Sequence, residues 1–261
     1  MSPIKHACMS AIGFSLFIIL APTDLLAEVH ATDEFEAGST RPVSIVVLPS
    51  QVELTKQRMI RREAQVEESG QLESHLTDAV AAEFRARDYD VRVIDTAAIS
   101  KDPQLQELVV DANRRFTEMM TNVQARLKKS KHVQQRRYNA GDTVKLLAAR
   151  LGVDAVAFTR MQIIAPSGAV RALNFGIGGE TAMMTVTVVD GTTADIEAYI
   201  TTPTFRRGSM FGGHDQIMEN PDEEMAKYAG ATLDDLPFAD PSLREEESED
   251  DVLSDLESLL D

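Results

Sequence analysis

The residues best suited to nucleophilic or metal chemistry are few and scattered in this 261-residue sequence. Its single cysteine, Cys8, precedes the mature chain that we predict below, so the mature chain has no disulfide, no thiol nucleophile and no cysteine-based zinc site. The five histidines form no HxxxH or HExxH pair, and no serine lies in a G-x-S-x-G elbow. We therefore predict no catalytic residue, no bound metal and no cofactor.

Other patterns that resemble functional motifs are better explained by structure. The segment Gly176-Ile-Gly-Gly179 precedes a strand rather than a helix and has no Lys-Ser/Thr pair after it. It therefore predicts backbone freedom in a connection rather than a phosphate-binding loop. Asp190 comes directly before Gly191, which is typical of a turn. Asp154 follows a predicted helix end, and we expect its carboxylate to form a local hydrogen bond.

A basic cluster lies at the C-terminal end of a long predicted helix. It consists of Arg126, Lys128, Lys129, Lys131, Arg136 and Arg137. One interpretation is a solvated last turn whose cations complement the negative end of the helix dipole. The other is a docking surface for something acidic, such as phospholipid head groups, a protein partner or the acidic tail of this chain. The cluster is therefore a candidate partner-binding site.

The C-terminal tail combines acidity with an apolar stripe. Residues 243–261 carry nine Asp or Glu residues against Arg244, a balance of −8, and this composition predicts disorder. Its apolar residues recur at the spacing of one helical face: Val252, Leu253, Leu256, Leu259 and Leu260. Two interpretations stay open, a solubilising tail with incidental leucines or a short motif that folds into the groove of a partner.

The net charge of −16 is concentrated at the C-terminus. From Asp222 onward the balance is −13, the first 27 residues are neutral, and residues 28–221 carry only −3. Nucleic-acid binding therefore has little electrostatic support. Aromatic residues make up 5% of the chain and Trp is absent, so we do not expect stacking on sugars or bases. Peripheral contact with a membrane and assembly into a homo-oligomer both stay open.

Residues 1–27 have the pattern of a signal peptide. A positive charge precedes an apolar run over residues 11–21, which is too short to span about 30 Å of hydrocarbon as a helix. Small residues allow cleavage after Ala27 or as late as Ala31. Cys8 lies before the apolar run rather than after it, so it does not fit a lipobox. We predict an exported protein, periplasmic or associated with the outer membrane, without a lipid anchor at Cys8.

The first part of the mature chain predicts a βαβ unit. Val43–Leu48 is β-branched at nearly every position, which indicates a strand buried on both faces. An amphipathic helix follows and ends near Asp88, and a second strand spans Asp90–Asp95. Strand, helix and strand at this spacing predict parallel pairing with a right-handed crossover. The charged segment 51–68 predicts a helical or mobile excursion between the first strand and the helix.

The second part predicts helices and an antiparallel hairpin. Pro103 suits the first position of a helix, and apolar residues at steps of three and four extend that helix over about 103–136. A short helix over 142–151 leads directly into a third strand at 153–164. Two strands within 183–200 then meet through Asp-Gly, a strong hairpin signal.

These elements predict one α/β domain over residues 42–238. Its mixed sheet has a βαβ start and a C-terminal antiparallel hairpin, its helices pack on the sheet, and one long helix is inserted. A flexible lead-in over residues 28–41 precedes the domain, because the segment is polar and contains glycine. An acidic disordered tail over residues 239–261 follows it.

Several segments together resemble the TolB-N/CsgG-like domains of the bacterial envelope. They are Val43-Ser-Ile-Val-Val-Leu-Pro49, Tyr89-Asp-Val-Arg-Val-Ile94, Leu146-Leu-Ala-Ala-Arg-Leu-Gly-Val-Asp-Ala-Val-Ala157 and Thr185-Val-Thr-Val-Val-Asp-Gly191. The resemblance covers about residues 43–201 and implies an α/β sandwich that acts by binding other envelope components. Relatives include secretion-channel subunits and lipoproteins that activate cell-wall synthases. This chain departs from them in lacking a lipobox cysteine and in adding the long helix and the acidic tail.

The sequence thus predicts a non-enzymatic envelope protein that acts as an adaptor or as an assembly or secretion-associated factor. Its partner contacts are expected on the added segments, 103–136 and 243–261. The alternative hypothesis is a small-ligand-binding protein or enzyme that uses the loops 166–180 and 202–220. A pocket beside those loops, lined by converging polar side chains, would favour this alternative.

Overall fold

The computed structural model describes residues 27–39, 41–58, 61–94, 99–127, 133–135, 138–167, 180–202, 205–207 and 214–239. Within these ranges the strands are β1 Glu28–Ala31, β2 Ser44–Val47, β3 Gln51–Gln57, β4 Arg62–Ala64, β5 Asp90–Val93, β6 Ala155–Pro166, β7 Glu180–Asp190, β8 Ile196–Thr201 and β9 Phe205–Arg207. The helices are α1 Asp33–Glu36, α2 Val66–Arg85, α3 Pro103–Leu127, α4 Asp142–Leu151, α5 His214–Glu219 and α6 Pro221–Leu233.

The sheet is built around β6, which has neighbours along its whole length. Its first half pairs in parallel with β2, and its second half pairs in parallel with β3. These two neighbours are one stretch of chain interrupted at Pro49, which has no N–H to donate to a ladder. On its other side β6 pairs antiparallel with β7. The main strand order is β1-β8-β7-β6-β2-β5, with β4 on β3 and β9 on β7.

The two ends of this sheet differ in the strands that reach them. We call the end where β2, β5 and β6 begin the proximal end. The distal end is where β6 finishes at Pro166 and β7 begins at Glu180. There β3 continues to Gln57, opposite Pro166, and β9 lies opposite the first residues of β7.

The predicted βαβ unit is present, but the segment inside it differs from the prediction. β2 and β5 pair in parallel, with α2 connecting back along the sheet. We expected a helical or mobile excursion over residues 51–68, whereas the chain forms β3, β4 and the first turn of α2. Val52 and Leu54 are buried in the core while Glu53 between them is exposed. The two-residue period therefore outweighs the charged composition of the segment.

Helices cover both faces of the sheet, which confirms the predicted mixed α/β class. α2 and α6 cover one face, where Ile45 and Val47 are buried, and α3 and α4 cover the other, where Val46 is buried. β2 is thus buried on both sides, as its continuous apolar run predicts. On the second face Phe116 of α3 stacks on Phe158 of β6, with ring centroids 4.0 Å apart and an interplanar angle of 11°.

The long helix α3 is a layer of the core rather than an appended arm. Asp102 caps its start by accepting a hydrogen bond from the Leu105 N–H at 3.1 Å. Its buried residues are Leu105, Val109, Ala112, Phe116 and Met120, at steps of three and four. Of the predicted insertion 103–136, the described helix ends at Leu127. The inner face of the helix is therefore occupied by the sheet, and its outer face and C-terminal end are the parts that a partner can reach.

The flexible lead-in predicted for residues 28–41 is corrected by the structure. β1 pairs antiparallel with β8 over all four of its residues, and the following helix α1 buries Phe35 completely. Thr32 caps α1: its hydroxyl accepts from the Phe35 N–H at 3.2 Å and donates to the Glu197 carboxylate at 2.6 Å. The prediction failed because a short polar strand takes its stability from an existing sheet edge, which its own sequence pattern does not reveal.

The hairpin of β7 and β8 turns at Asp190, as predicted. The Asp190 carboxylate accepts hydrogen bonds from the two backbone N–H groups at 192 and 193, at 2.8 and 2.5 Å. Gly191, the residue directly after Asp190, lies against the link between α4 and β6. A Cβ at Gly191 would lie 2.6 Å from the Cβ of Ala148 and 2.7 Å from the carbonyl oxygen of Asp154, so only glycine fits without a shift.

Asp154 bonds across the fold, and the prediction of a local hydrogen bond is wrong. Its Oδ2 accepts from the Val43 N–H at 3.2 Å, the Ser44 N–H at 2.9 Å and the Ser44 hydroxyl at 2.8 Å. These bonds join the starts of the parallel neighbours β2 and β6. Burial raises the pKa of the Asp154 carboxyl, but the hydrogen bonds from Ser44 and Val43 outweigh burial and hold the pKa below its ordinary value.

Candidate binding surface at the distal end

Most residues predicted to bind a partner lie outside the part of the chain that the structure describes. This is so for Val252, Leu253, Leu256, Leu259 and Leu260 of the tail, and for Lys128, Lys129, Lys131, Arg136 and Arg137 of the basic cluster. The backbone of Arg126 lies in α3. The described residues next to these segments show where each one leaves the fold.

α3 carries its basic C-terminal end towards the distal end of the sheet. Its start lies beside the end of α4, where Arg150 forms an ion pair with Asp102 at 2.7 Å, and α4 leads directly into the proximal start of β6. Further along, the Thr117 hydroxyl lies 3.4 Å from the side-chain oxygen of Gln51 in β3. The helix therefore runs in the same direction as β6. Arg126 lies six residues beyond Met120, about 9 Å at 1.5 Å per residue.

Cations from separate strands converge on the same end. We call them the distal basic cluster, which consists of Lys56, Arg58, Arg61, Arg62, Arg206 and Arg207. Lys56 of β3 lies opposite Ala165 of β6, and Arg206 of β9 lies opposite Thr181 of β7, so both flanks of the β6–β7 pair contribute. Arg61 and Arg62 are exposed.

The distal strands carry an excess of positive charge. Against the six cations of the distal basic cluster, β3, β4 and the start of β7 contain the three carboxylates Glu53, Glu63 and Glu180, a balance of +3. Glu63 forms an ion pair with Arg58, with Nε and Oε2 2.5 Å apart. The register of β3 and β9 thus brings together two basic segments, 56–62 and 206–207, that are far apart in the sequence.

The acidic tail leaves the fold from the opposite, proximal end. The backbone carbonyls of residues 236, 237 and 238 each accept one hydrogen bond, from Arg87 at 3.2 Å, Tyr89 at 2.8 Å and Arg41 at 2.5 Å. The N–H of Ala239 donates to the Arg87 carbonyl at 2.9 Å. Burial raises the pKa of Tyr89, which keeps its hydroxyl a proton donor. This clamp fixes the point from which the tail begins.

Ala239, the last described residue before the acidic tail, lies at the proximal end of the sheet. The distal strands, at the other end, carry a balance of +3. β6 has 12 residues, which corresponds to about 40 Å between the two ends at about 3.3 Å per residue. This distance exceeds the screening length of about 8 Å at physiological salt, so charges fixed at the proximal end have little effect on the distal cations.

A cleft of about 220 Å³ opens beside α3 in the distal half of the sheet. Arg160 of β6 lines it and is flanked in register by Gln51 of β3 and Thr185 of β7. Two positions further along, on the same face of the sheet, Glu53 and Gln162 also line the cleft. The guanidinium of Arg160 is half-buried and has no hydrogen-bond or ion-pair partner among the described residues.

A second cleft, of about 310 Å³, lies between α2 and the ends of β2 and β5. Two polar residues of its lining bond to the backbone: Glu73 and Thr77 accept hydrogen bonds from the backbone N–H groups at 52 and 50 beside the β3 edge. Burial raises the pKa of Glu73, and the bond from Val52 lowers it again in part. We assign these two residues to the structure of the β3 edge, which β4 does not reach at these positions.

The alternative hypothesis of a pocket formed by the loops 166–180 and 202–220 stays a prediction. Residues 168–179, 203–204 and 208–213 lie outside the described ranges. The described parts contain β9 and α5 instead of an irregular segment. Neither cleft above is lined by a described residue of these two loops.

Further perturbed carboxylates join α3 to α4. Hydrogen bonds from Thr143 and then from Arg115 and Arg114 hold the pKa of Asp111 far below its usual range. A hydrogen bond from Arg150 lowers the pKa of Asp102. Within the described ranges no group of three or more His, Cys, Asp or Glu side chains is placed to hold a metal ion. Across the same residues, no helix combines the length and apolarity needed to cross a membrane.

Sequence reasoning found the basic end of α3 but missed the distal basic cluster and the Arg160 cleft. Arg58, Arg61 and Arg62 were visible as charges, yet their segment was predicted to be helical or mobile. The alternation of apolar and polar residues over 51–54 was the signal for a strand. The cleft had no such signal, because its walls come from segments near residues 51, 120, 160 and 185.

Comparison with known proteins gives only distant structural likeness. No family model matches the chain, and no curated protein matches it. A PelC dodecamer from Paraburkholderia phytofirmans is similar with a TM-score of 0.36 and 11% identity, over 79% of this chain and 95% of that chain. A single-residue variant of that dodecamer gives a TM-score of 0.33 and 12% identity, over 74% and 88%. Likeness at this level carries no argument here, and the resemblance to TolB-N/CsgG-like domains stays a prediction.

Proposed function

We propose that this chain is an exported, non-enzymatic envelope protein that acts as an adaptor or assembly factor by binding protein partners. One observation carries the proposal: the distal basic cluster comes from two separate parts of the chain, residues 56–62 and 206–207, which lie at the same end of the sheet, and α3 runs towards that end. Clustered cations attract an acidic surface over long range and orient it before contact. The partner is therefore a protein with an acidic surface in the same compartment.

The roles of the perturbed carboxylates support binding rather than catalysis. Asp102, Asp111 and Asp154 have lowered pKa values, and each is held by hydrogen bonds that join elements of the scaffold. A general base or acid needs a pKa near the working pH, whereas these groups are shifted away from it. Their arrangement stabilises the fold that presents the distal end.

The acidic tail provides a second contact at the other end of the molecule. Its start is fixed by the clamp of Arg41, Arg87 and Tyr89. Its apolar stripe, from Val252 to Leu260, has the spacing of a helix that docks in a groove. A chain that presents a basic end and an acidic tail is suited to join two different partners.

The proposal is tested with two matched triple variants of the tagged full-length chain. The distal variant combines Lys56→Gln, Arg61→Gln and Arg62→Gln, and it leaves Arg58 in place because Glu63 pairs with it. Crosslinking in intact cells is followed by purification through the tag and quantification of the recovered partner. If three charges at the rim together contribute about 1.4 kcal/mol, the distal variant binds about tenfold more weakly.

The control variant removes three cations elsewhere, with Arg85→Gln, Lys101→Gln and Lys145→Gln, and should recover the partner as the wild type does. Equal recovery from both variants would contradict the proposal. Flotation with phosphatidylglycerol vesicles separates a membrane role from a protein role. Loss of flotation by the distal variant, with no partner protein recovered by the wild type, would show that the distal end binds lipid and would overturn the adaptor proposal.

A further inference from the structure

We propose that the cleft around Arg160 is a binding site for a small aliphatic monocarboxylate. The site is distinct from the distal basic cluster, and the inference does not depend on the proposed adaptor function. Arg160 lies on β6, the strand that has neighbours on both sides. A half-buried guanidinium at such a position has lost part of its hydration, and an uncompensated cation there is unfavourable.

Within the part of the chain that the structure describes, no residue supplies Arg160 with a counter-ion. Among the described residues its guanidinium has no carboxylate within ion-pair distance. The nearest acid in the register, Glu53, accepts a hydrogen bond from Gln162 at 3.2 Å instead. The connecting segments 128–132, 168–179, 203–204 and 208–213 contain no Asp or Glu. A bound carboxylate would therefore satisfy a donor group that the protein leaves open, through the bidentate geometry that guanidinium favours.

The remaining lining defines the rest of the ligand. Gln51, Gln162 and Thr185 offer neutral hydrogen-bonding groups beside the guanidinium. Two methionines, Met120 of α3 and Met183 of β7, form an apolar and adaptable wall that suits an aliphatic stem. The volume of about 220 Å³ is below the about 300–1,000 Å³ typical of sites for drug-sized ligands, so the ligand is small.

Glu53 sets the charge of the ligand. It is exposed and lines the same cleft, two register positions beyond Arg160. A second negative charge on the ligand would be repelled there, which favours a monocarboxylate over a dicarboxylate. For the same reason Glu53 weakens the attraction of Arg160 for any anion, and removing its charge should strengthen binding.

The test titrates the purified full-length exported chain with butyrate and follows its methionine methyl groups by NMR after ¹³C-methyl labelling. Of the 11 methionines in the sequence, the signals of Met120 and Met183 should shift, as assigned by Met→Leu variants. Butyramide has the same shape without the charge and should bind about tenfold more weakly or not at all. The Arg160→Gln variant should lose binding by about tenfold, and Glu53→Gln should bind about two- to fivefold more tightly.

Each other outcome counts against the site. Absence of methyl shifts up to about 50 mM butyrate, where even a Kd in the millimolar range would be visible, would overturn the proposal. Shifts of equal size with butyramide, or unchanged binding by Arg160→Gln, would do the same. The Glu53→Gln variant keeps the test decisive if Arg160→Gln does not fold. The distal triple variant should bind butyrate as the wild type does. The butyrate result can therefore be interpreted even if the adaptor proposal fails.

Discussion

Two glycines occupy opposite kinds of surroundings, and the same added methyl group should act on them in opposite directions. Gly70 lies inside α2, and a Cβ there would meet nothing within 4 Å. Gly191 has the Cβ of Ala148 at 2.6 Å and a backbone carbonyl oxygen at 2.7 Å from the same hypothetical atom. The first glycine weakens its helix without a packing benefit, and the second is required by a close approach of two chain segments.

We expect Gly70→Ala to raise the free energy of unfolding by about 0.5–1 kcal/mol, because alanine favours the helix. Gly191→Ala should lower it by about 1–3 kcal/mol, because the backbone at Asp154 must shift. Urea unfolding followed by circular dichroism measures both changes. Changes of the same sign in the two variants would contradict the described packing.

The carboxylate of Asp154 should make stability depend on acid. Its folded pKa lies below the unfolded value, so its stabilisation is present above about pH 3.9 and is lost as the pH falls through the folded pKa. The Asp154→Ala variant also leaves the N–H groups of Val43 and Ser44 without this acceptor. Its free energy of unfolding should therefore be lower than that of the wild type by about 2 kcal/mol at pH 7. Urea unfolding at pH 7 and pH 3 measures the free energy of unfolding of the variant and of the wild type. The difference between the two proteins should be smaller at pH 3. A difference that is independent of pH would contradict this account.

At the residue scale the sequence predicted only roles that depend on near neighbours. The Asp190 carboxylate accepts hydrogen bonds from the N–H groups two and three positions along the chain, which is typical of the turn that its place before Gly191 predicts. Gly152 ends α4 with a φ of 61°, a left-handed conformation that favours glycine. The partner of Asp154 is Ser44, 110 positions away, and no spacing rule links the two. Arg160 could not be found for the same reason, since its surroundings are assembled by three strands and a helix.

At the scale of elements, the edge strand β1 distinguishes between the two predicted cleavage sites of the signal peptide. Cleavage after Ala31 would remove β1, which pairs with β8 and buries His30 and Ala31. Cleavage after Ala27 leaves the strand intact. We therefore predict a mature chain that begins at Glu28, and intact-mass analysis of the exported protein measures its first residue. A mature chain that begins at Thr32 would contradict the prediction.

Elements with strong internal periodicity were predicted, and elements that depend on a neighbour were not. α2, α3 and α4 each carry an apolar face with helical spacing, and the hairpin of β7 and β8 has a turn signal between alternating strands. β1, β3 and β4 are short or charged, and they form because β8 and β6 offer open edges to pair with. Such strands are specified by the whole sheet rather than by their own residues.

At the scale of the whole molecule, the sequence showed the acidic tail but not the charge separation. The class of fold followed from the order of the elements. The distal basic cluster could not be predicted, because its cations come from the β3–β4 hairpin and from β9, which reach the same end of the sheet only through the register on β6 and β7. The clamp at residues 236–239 places the tail at the other end of the sheet.

Deleting residues 243–261 should therefore separate binding from folding. The deletion leaves the clamp at 236–239 intact, so we expect the free energy of unfolding to change by no more than about 0.5 kcal/mol. Recovery of a partner from envelope extracts should fall, because the acidic leucine stripe is removed. Undiminished recovery would show that the tail only solubilises the protein, and a large loss of stability would show that it is part of the fold.

The central claim is that the distal end is the surface that contacts a protein partner. The most direct measurement places a photoreactive amino acid at single positions in intact cells, at Arg61 and Arg62 of the distal end and at two exposed control positions. The controls are Val110 and Leu146, each 59% exposed on the outer sides of α3 and α4. We predict crosslinks to a protein partner from Arg61 and Arg62 and none from Val110 and Leu146. Crosslinks from the two control positions alone, or from all four positions equally, would contradict the claim.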